Sequence, residues 1–393
     1  MKHVLNSFVF LGCAALPAGA QVVVGALDPS GGGLARIWHI DVASGDRTEL
    51  LQAQVAALAV DDSGGRLFFC GFDNRLFQWN YASSSAPVQI CTMHTASGGL
   101  PVIGGMAYAN GVLYVTGNSS AVTVSRVDLT SGLMTQTAAP LWVSGDSLAA
   151  DPATGKLYSY VEVPLSGHAP GLYELDPTNM ANPLQVAPMA QVYDVDGLAV
   201  GGGRAYFIED SYFDFPIFDF ATNAYLPNRL TSPFGNEFLM AGGEFAPSLP
   251  QPGGPRFYCH RKASSQFCES VTLTSGTPSI SAPTPFLLTA YLLAPRRAAL
   301  WNYSLAGRAN IPFAGGTLCI AAPVRRAQGV RTHGTTDCTG RVDYDFGAFL
   351  RSGADPALAV GARVDAQLFV RDPGFSQPDN LALSDAIEFT ILP

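Results

Sequence analysis

A strand-and-turn pattern returns five times along this chain at nearly constant spacing, and it restricts the possible folds more than any other property. The recurring strand reads Val22-Val23-Val24, Leu67-Phe68-Phe69, Leu113-Tyr114-Val115, Leu157-Tyr158-Ser159 and Ala205-Tyr206-Phe207, with central residues 45, 46, 44 and 48 positions apart. A second run ends each time in Asp or Asn: Asp41, Asn80, Asp128, Asp176 and Asp219. Four residues later stand Gly45, Ser84, Gly132, Met180 and Asn223. An Asp or Asn there accepts N–H bonds from its own turn, and Gly or Asn supplies the left-handed residue that closes it.

Small apolar segments precede the later copies: Ala57-Leu58-Ala59, Gly105-Met106-Ala107, Ser147-Leu148-Ala149 and Gly197-Leu198-Ala199. Such residues suit an innermost strand crowded around an axis. The first copy has none in front of it, but Gly243-Glu244-Phe245-Ala246 appears after the last. A terminal strand that completes the first unit closes a ring and removes exposed sheet edges. About 45 residues per copy is the size of one four-stranded blade. The pattern therefore predicts an all-β chain, with a five-bladed β-propeller over residues 21–246 and six blades as the alternative.

Composition agrees with this class. Charged residues are 13% of the 393, and Gly 41 and Pro 28 imply many tight turns. No sustained i, i+3, i+4 apolar stripe marks a long helix. The repeats resemble the YVTN/NHL type of secreted bacterial β-propeller through a "GLA…G-LY…L-x-x-D-x-x-S/T-G" pattern, carried in partial form by Asp146 to Tyr158 and Val127 to Gly132. That resemblance implies a fold and leaves function open, because propellers host many functions.

Residues 1–20 read as a signal peptide. Lys2-His3 opens it, an apolar stretch runs to Leu16, and Ala18-Gly19-Ala20 supplies a small-x-small cleavage site before Gln21. Leu11, two positions before Cys13, is larger than a lipoprotein signal favours. No later apolar run is long enough to span a bilayer, so the expected location is secreted, periplasmic or cell-surface. Six cysteines remain, an even number that favours disulfides in an exported chain. Pairing sequence neighbours predicts Cys70–Cys91, Cys259–Cys268 and Cys319–Cys338.

Residues 247–255 (PSLPQPGGP) form the expected Pro/Gly linker. Residues 256–393 show short strands without the repeat, and two disulfides would make them a stapled β-sandwich. Tyr258-Cys259…Cys268, Gly315 to Cys319, Arg371-Asp372-Pro373-Gly374 and Leu383-Ser384-Asp385 to Pro393 resemble a C-terminal module recurring in large exported bacterial proteins. No assigned activity follows from that resemblance.

Charge divides unevenly, −13 over residues 21–255 and +3 over residues 256–393. An acidic propeller is a poor nucleic-acid binder, since phosphate backbones require clustered Lys and Arg. Arg296-Arg297 and Arg325-Arg326 could contact anionic surface polymer or could be solvated strand ends.

Nucleophile-elbow, metalloprotease, phosphate-loop and EF-hand signatures are missing from the sequence. His39, His94, His168, His260 and His333 show no metal-ligand spacing among themselves, and an oxidising compartment makes disulfides a better use than zinc for nearby cysteines. The sharpest chemical candidates are Asp146 and Asp196, each two residues before a repeat leucine, where other copies have Ala56, Gly104 and Gly243. Equivalent propeller positions share a height, so the two carboxylates are expected at one mouth of the channel, joined by Asp194, Glu237 and Glu244. Such a cluster could hold Ca²⁺ or divide acid and base roles in sugar cleavage. Alternatively, each Asp simply bonds backbone amides where its loop enters the inner strand. Trp38, Trp79, Trp142, Trp301 and Tyr212-Phe213-Asp214-Phe215 could form a sugar-stacking or protein-binding surface, or pack between blades.

The leading expectation is an exported, non-enzymatic binding protein without a cofactor, recognising an extracellular glycan or protein. A carbohydrate-active hydrolase or lyase using Asp146 and Asp196 is the first alternative, and a structural envelope component the second.

Overall fold

The computed structural model describes residues 21–27, 35–81, 83, 85–117, 123–137, 147–162, 168–189, 195–209, 214–232, 239–249 and 253–393. The expected signal peptide lies outside them. Nearly all of the described structure is β, and one short helix, Phe346–Arg351, breaks the pattern. Among the described residues no helix is long and apolar enough to cross a membrane.

Each repeat folds as an antiparallel four-stranded sheet. Ala57–Asp61, Arg66–Cys70, Arg75–Asn80 and Val88–Thr92 form one in simple succession. Three further sheets begin at the inner strands Ile103–Ala109, Leu148–Ala150 and Gly197–Gly201. The remaining repeat is completed from a distance: Leu239–Phe245 pairs with Gln21–Leu27, placing Phe245 opposite Val22 and Glu244 opposite Val23. Inner strands touch in the order Leu239–Phe245, Ala57–Asp61, Ile103–Ala109, Leu148–Ala150, Gly197–Gly201 and back to the first. The arrangement is propeller-like.

Turn chemistry fixes the repeat phase. The Asp41 carboxylate accepts the N–H groups of Ala43 and Ser44 at 2.9 Å each, and Gly45 closes the turn at φ 73°. Asp128 does the same for Thr130 and Ser131, with Gly132 at φ 79°. Asp219 accepts from Thr222, and Asn223 takes the left-handed position.

Between sheets, apolar layers fill every gap. Ala59, Phe68, Cys70, Met106 and Val115 form one, and Ala149, Tyr160, Leu198 and Phe207 another. Small residues bring the inner strands together: a Cβ on Gly197 would stand 2.5 Å from the Gly242 carbonyl carbon.

Beyond residue 252 the chain turns back onto the first repeat. Arg256–Tyr258 pairs with Arg47–Leu51 on one side and Leu381–Thr390 on the other, so the first repeat's sheet continues into the C-terminal region as nine strands. A three-stranded sheet of Val271–Ser275, Leu287–Leu293 and Gly340–Asp345 contributes to the same apolar core, where Trp38, Phe257, Phe286, Trp301 and Phe389 are buried. Polar groups seal the junction. Arg47 and Asp385, both nearly inaccessible, pair at 3.0 Å, and Arg308 forks onto Asp46 at 2.6 and 2.8 Å.

The neighbour-pairing expectation for the cysteines is corrected. Disulfides join Cys259 to Cys319 and Cys268 to Cys338, while Cys70 and Cys91 are free thiols. Cys70 and Cys91 flank Leu76 from opposite sides in the ladder. Two strand spacings separate them by about 9.6 Å, beyond the reach of a disulfide. In the C-terminal region, Ser264 and Cys268 close a tight turn through Ser264 N–H to the Cys268 carbonyl at 3.0 Å. The Tyr258 hydroxyl donates to the Cys319 carbonyl at 3.1 Å, holding Cys259 beside Cys319.

Candidate functional site

Sheet register identifies equivalent positions on the inner strands. Opposite the repeat residues Phe68, Tyr114, Tyr158 and Tyr206 stand Ala59, Ala107, Ala149 and Ala199, all fully buried. The fifth equivalent pair is Val23 with Glu244. One carboxyl thus replaces the fifth alanine, 1% exposed, with Oε2 3.4 Å from the Ala150 N–H. Ala150 belongs to a non-adjacent sheet, so this contact crosses the axis. Among the described residues Oε1 has no hydrogen-bond partner. Burial pushes the Glu244 carboxyl well above the usual carboxylate range, and the Ala150 and Phe245 N–H groups only partly offset it.

The expected channel-mouth cluster is only partly within view. Asp146, Asp194 and Glu237 lie outside the described residues. Asp196 is half-buried at the entry to its inner strand, and its backbone carbonyl accepts the Gly242 N–H at 2.9 Å. The structure therefore brings Asp196 and the closing strand together through the backbone, while Glu244 lies deeper along that strand, inside the packed layer. Glu162 and Glu209 follow equivalent second strands, a relation the repeat markers did not reveal. Glu162 accepts the Val195 N–H at 2.6 Å, and Glu209 is fully buried. Among the described residues no group of three His, Cys, Asp or Glu side chains converges as a metal site.

The aromatic candidates divide similarly. Trp38, Trp301 and Phe215 are buried in the core. Trp79 donates its indole N–H to the Ser85 carbonyl at 2.8 Å. Trp142, Tyr212 and Phe213 fall outside the described residues.

A concavity lies elsewhere, between the first two repeats. Its volume is about 850 Å³, and Leu51, Phe69, Phe72, Phe77 and Pro87 supply the larger apolar side chains of its wall. Phe69 and Phe77 stack with centroids 5.3 Å apart and planes 13° apart. Gly71–Asn74 is the turn that builds one lip. Asn74 takes φ 57°, its N–H bonds the Gly71 carbonyl at 3.2 Å, and its carbonyl accepts the Met93 N–H at 2.9 Å. That anchoring leaves Phe72 projecting at the tip, 66% exposed. Asp73 and Arg75 pair at 2.5 Å on the rim, and the Arg75 guanidinium lies 5.9 Å from the Phe77 ring centroid. Beside the groove, Val88–Thr92 is the outermost strand of its sheet, with Val88 exposed.

Sequence reasoning missed this groove because its walls come from two repeats. One signal was present: Phe72 sits in Gly71-Phe72-Asp73-Asn74, where an aromatic in an otherwise polar turn has no core to enter.

No family model matches the sequence. No curated protein matches it either. Solved structures that resemble it include a chain of a nidogen/laminin complex, at 11% identity and a TM-score of 0.40, covering 58% of this chain and 99% of that one. TolB from Acinetobacter baumannii aligns at 10% identity and a TM-score of 0.35, over 69% of this chain and 61% of TolB. Apo AztD from Citrobacter koseri aligns at 14% identity and a TM-score of 0.29, over 57% of this chain and 60% of its own.

Proposed function

We propose that this chain is an exported, non-enzymatic recognition protein that binds an extended, apolar segment of a protein partner in the groove between its first two repeats. In this reading residues 1–20 direct export, the five sheets are the blades of a closed five-bladed propeller, and residues 256–393 form a disulfide-stapled sandwich behind it. Supporting closure are the pairing of Val22 with Phe245 and the cyclic contacts of the inner strands. Two long-range disulfides suit an oxidising compartment.

The observation that carries the binding reading is the groove itself. At about 850 Å³ it falls within the 300–1,000 Å³ range of ligand sites. A sugar would need several free polar groups for its hydroxyls, yet Asp73 and Arg75 are bound to each other and the other polar side chains of the lining are the Gln52 and Gln54 amides. An apolar side chain would bury against Phe69, Phe72 and Phe77 at about 25 cal/mol per Å². The neighbouring edge strand Val88–Thr92 offers backbone groups to an extended peptide, the geometry of strand addition.

An array of extended peptides carrying Phe, Leu or Ser at one central position tests this. Phe and Leu peptides should bind the parent, and Phe72→Asp should weaken them at least tenfold while melting as the parent does. Equal binding by Phe72→Asp, or a preference for neutral oligosaccharides over these peptides, would refute the assignment.

A further inference from the structure

Arginine pairing in the C-terminal region is selective. Arg261, Arg308, Arg325, Arg341, Arg351 and Arg363 each form an ion pair with a carboxylate. Arg296, Arg326, Arg331 and Arg371 are exposed and form none among the described residues. Arg326 and Arg331 lie on Arg325–Arg331, the last strand of the nine-stranded sheet, Arg371 ends the strand two places inward, and Arg296 precedes the strand between them.

Register places them on a common face. Ala299, Trp301 and Tyr303 point into the core, so Ala298, Leu300 and Asn302 take the opposite side. Arg331 is directly opposite Ala298, and Arg326 opposite Asn302. On the other flank Val370 is opposite Ala299 and buried, which sets Arg371 beside Ala298. Two guanidinium side chains therefore rise about 9.6 Å apart at their bases, separated by the methyl of an alanine. Arg296 joins from the preceding turn, its N–H bonded to the Thr332 carbonyl at 3.1 Å. Arg325 drops out of the sequence-level pair because Asp355 neutralises it.

We infer that this edge is a binding site for an acidic polysaccharide, its carboxylate-bearing sugars spanning Arg331 and Arg371 and running on toward Arg326. Planar guanidinium forks match carboxylates bidentately. Nucleic acid fits less well, because a duplex carries one charge per about 1.7 Å and meets more repulsion from the −13 balance over residues 21–255 than a chain with one carboxylate per sugar does. This inference is independent of the groove.

The probe is a galacturonate hexamer, titrated against the mature protein at 50 mM and 500 mM NaCl, with a duplex DNA of matched charge and anionic phospholipid vesicles as parallel arms. The hexamer should bind at low salt and release at high salt, because exposed pairs are screened within a Debye length. Arg331→Gln/Arg371→Gln should weaken it at least tenfold, whereas Arg341→Gln, which removes an equally exposed but paired charge, should change it less than twofold. Unchanged melting temperatures would confirm that all variants fold. Failure of the parent to bind the hexamer, equal loss in Arg341→Gln, or tighter binding to DNA or vesicles would each overturn the assignment.

Discussion

Glu244 and His39 are buried titratable groups on the two strands that flank Gln21–Leu27, and they act on stability in opposite directions. Burial raises the Glu244 pKa well above its ordinary value, so the folded state holds a proton that the unfolded chain releases. Its contribution is present below the unfolded pKa and is lost as pH rises toward the folded one, at up to about 1.4 kcal/mol per pH unit. His39, 2% exposed with neither ring nitrogen hydrogen-bonded among the described residues, is lowered by burial to about 4. Its neutral form favours folding, and that contribution fades as pH falls from about 6.5 toward 4. Urea unfolding of Glu244→Gln should therefore show a midpoint that falls less than the parent's between pH 6 and pH 9, while the decline below pH 6 persists. Parallel curves above pH 6 would mean that Glu244 ionises freely. The repeat pattern placed this glutamate on the closing strand. Only the register showed that it takes the place of an alanine, because the marker aligned Gly243 and Glu244 loosely with small residues.

At the scale of elements, the inner strands depend on residues that have almost no side chain. Gly197 meets the Gly242 backbone so closely that Gly197→Ala must displace one strand or the other. Overpacking of this kind costs about 1–3 kcal/mol, and the thermal midpoint should fall by several degrees. Gly111→Ala, in a turn at φ 82° with open space around the new methyl, should cost about 1–2 kcal/mol from its left-handed backbone alone. Gly197 is not left-handed, so an unchanged midpoint for Gly197→Ala would argue against tight packing between these strands. The strands themselves were legible from local sequence, since period-two apolar runs and Asp/Gly turns are short-range signals. Disulfide pairing was not. Whether Cys70 lies next to Cys91 depends on the strand between them, and Cys259 finds Cys319 across 60 residues of chain.

For the molecule as a whole, the junction is the decisive feature. The first repeat shares a sheet and an apolar core with the C-terminal region, and the buried Arg47–Asp385 pair lies between them, with Asp385 also accepting from the Thr272 hydroxyl. Removing one member of such a pair leaves a buried charge uncompensated and costs about 3–5 kcal/mol. Asp385→Ala should lower the stability of both halves in a single shifted calorimetric transition, and Arg47→Met/Asp385→Leu should recover much of the loss. A variant in which only the C-terminal half melts earlier would show that the two regions fold independently.

The chain's order of apolar, turn-forming and cysteine residues was enough to indicate an all-β protein of five phased units with a different region behind them. Those properties arise within ten or so residues and are recorded wherever they arise. The groove between the first two repeats, the glutamate among four alanines and the arginine edge depend on contacts between segments far apart in sequence. Side chains there acquire their neighbours, their exposure and their charge balance only when distant strands meet, so the folded chain alone decided them.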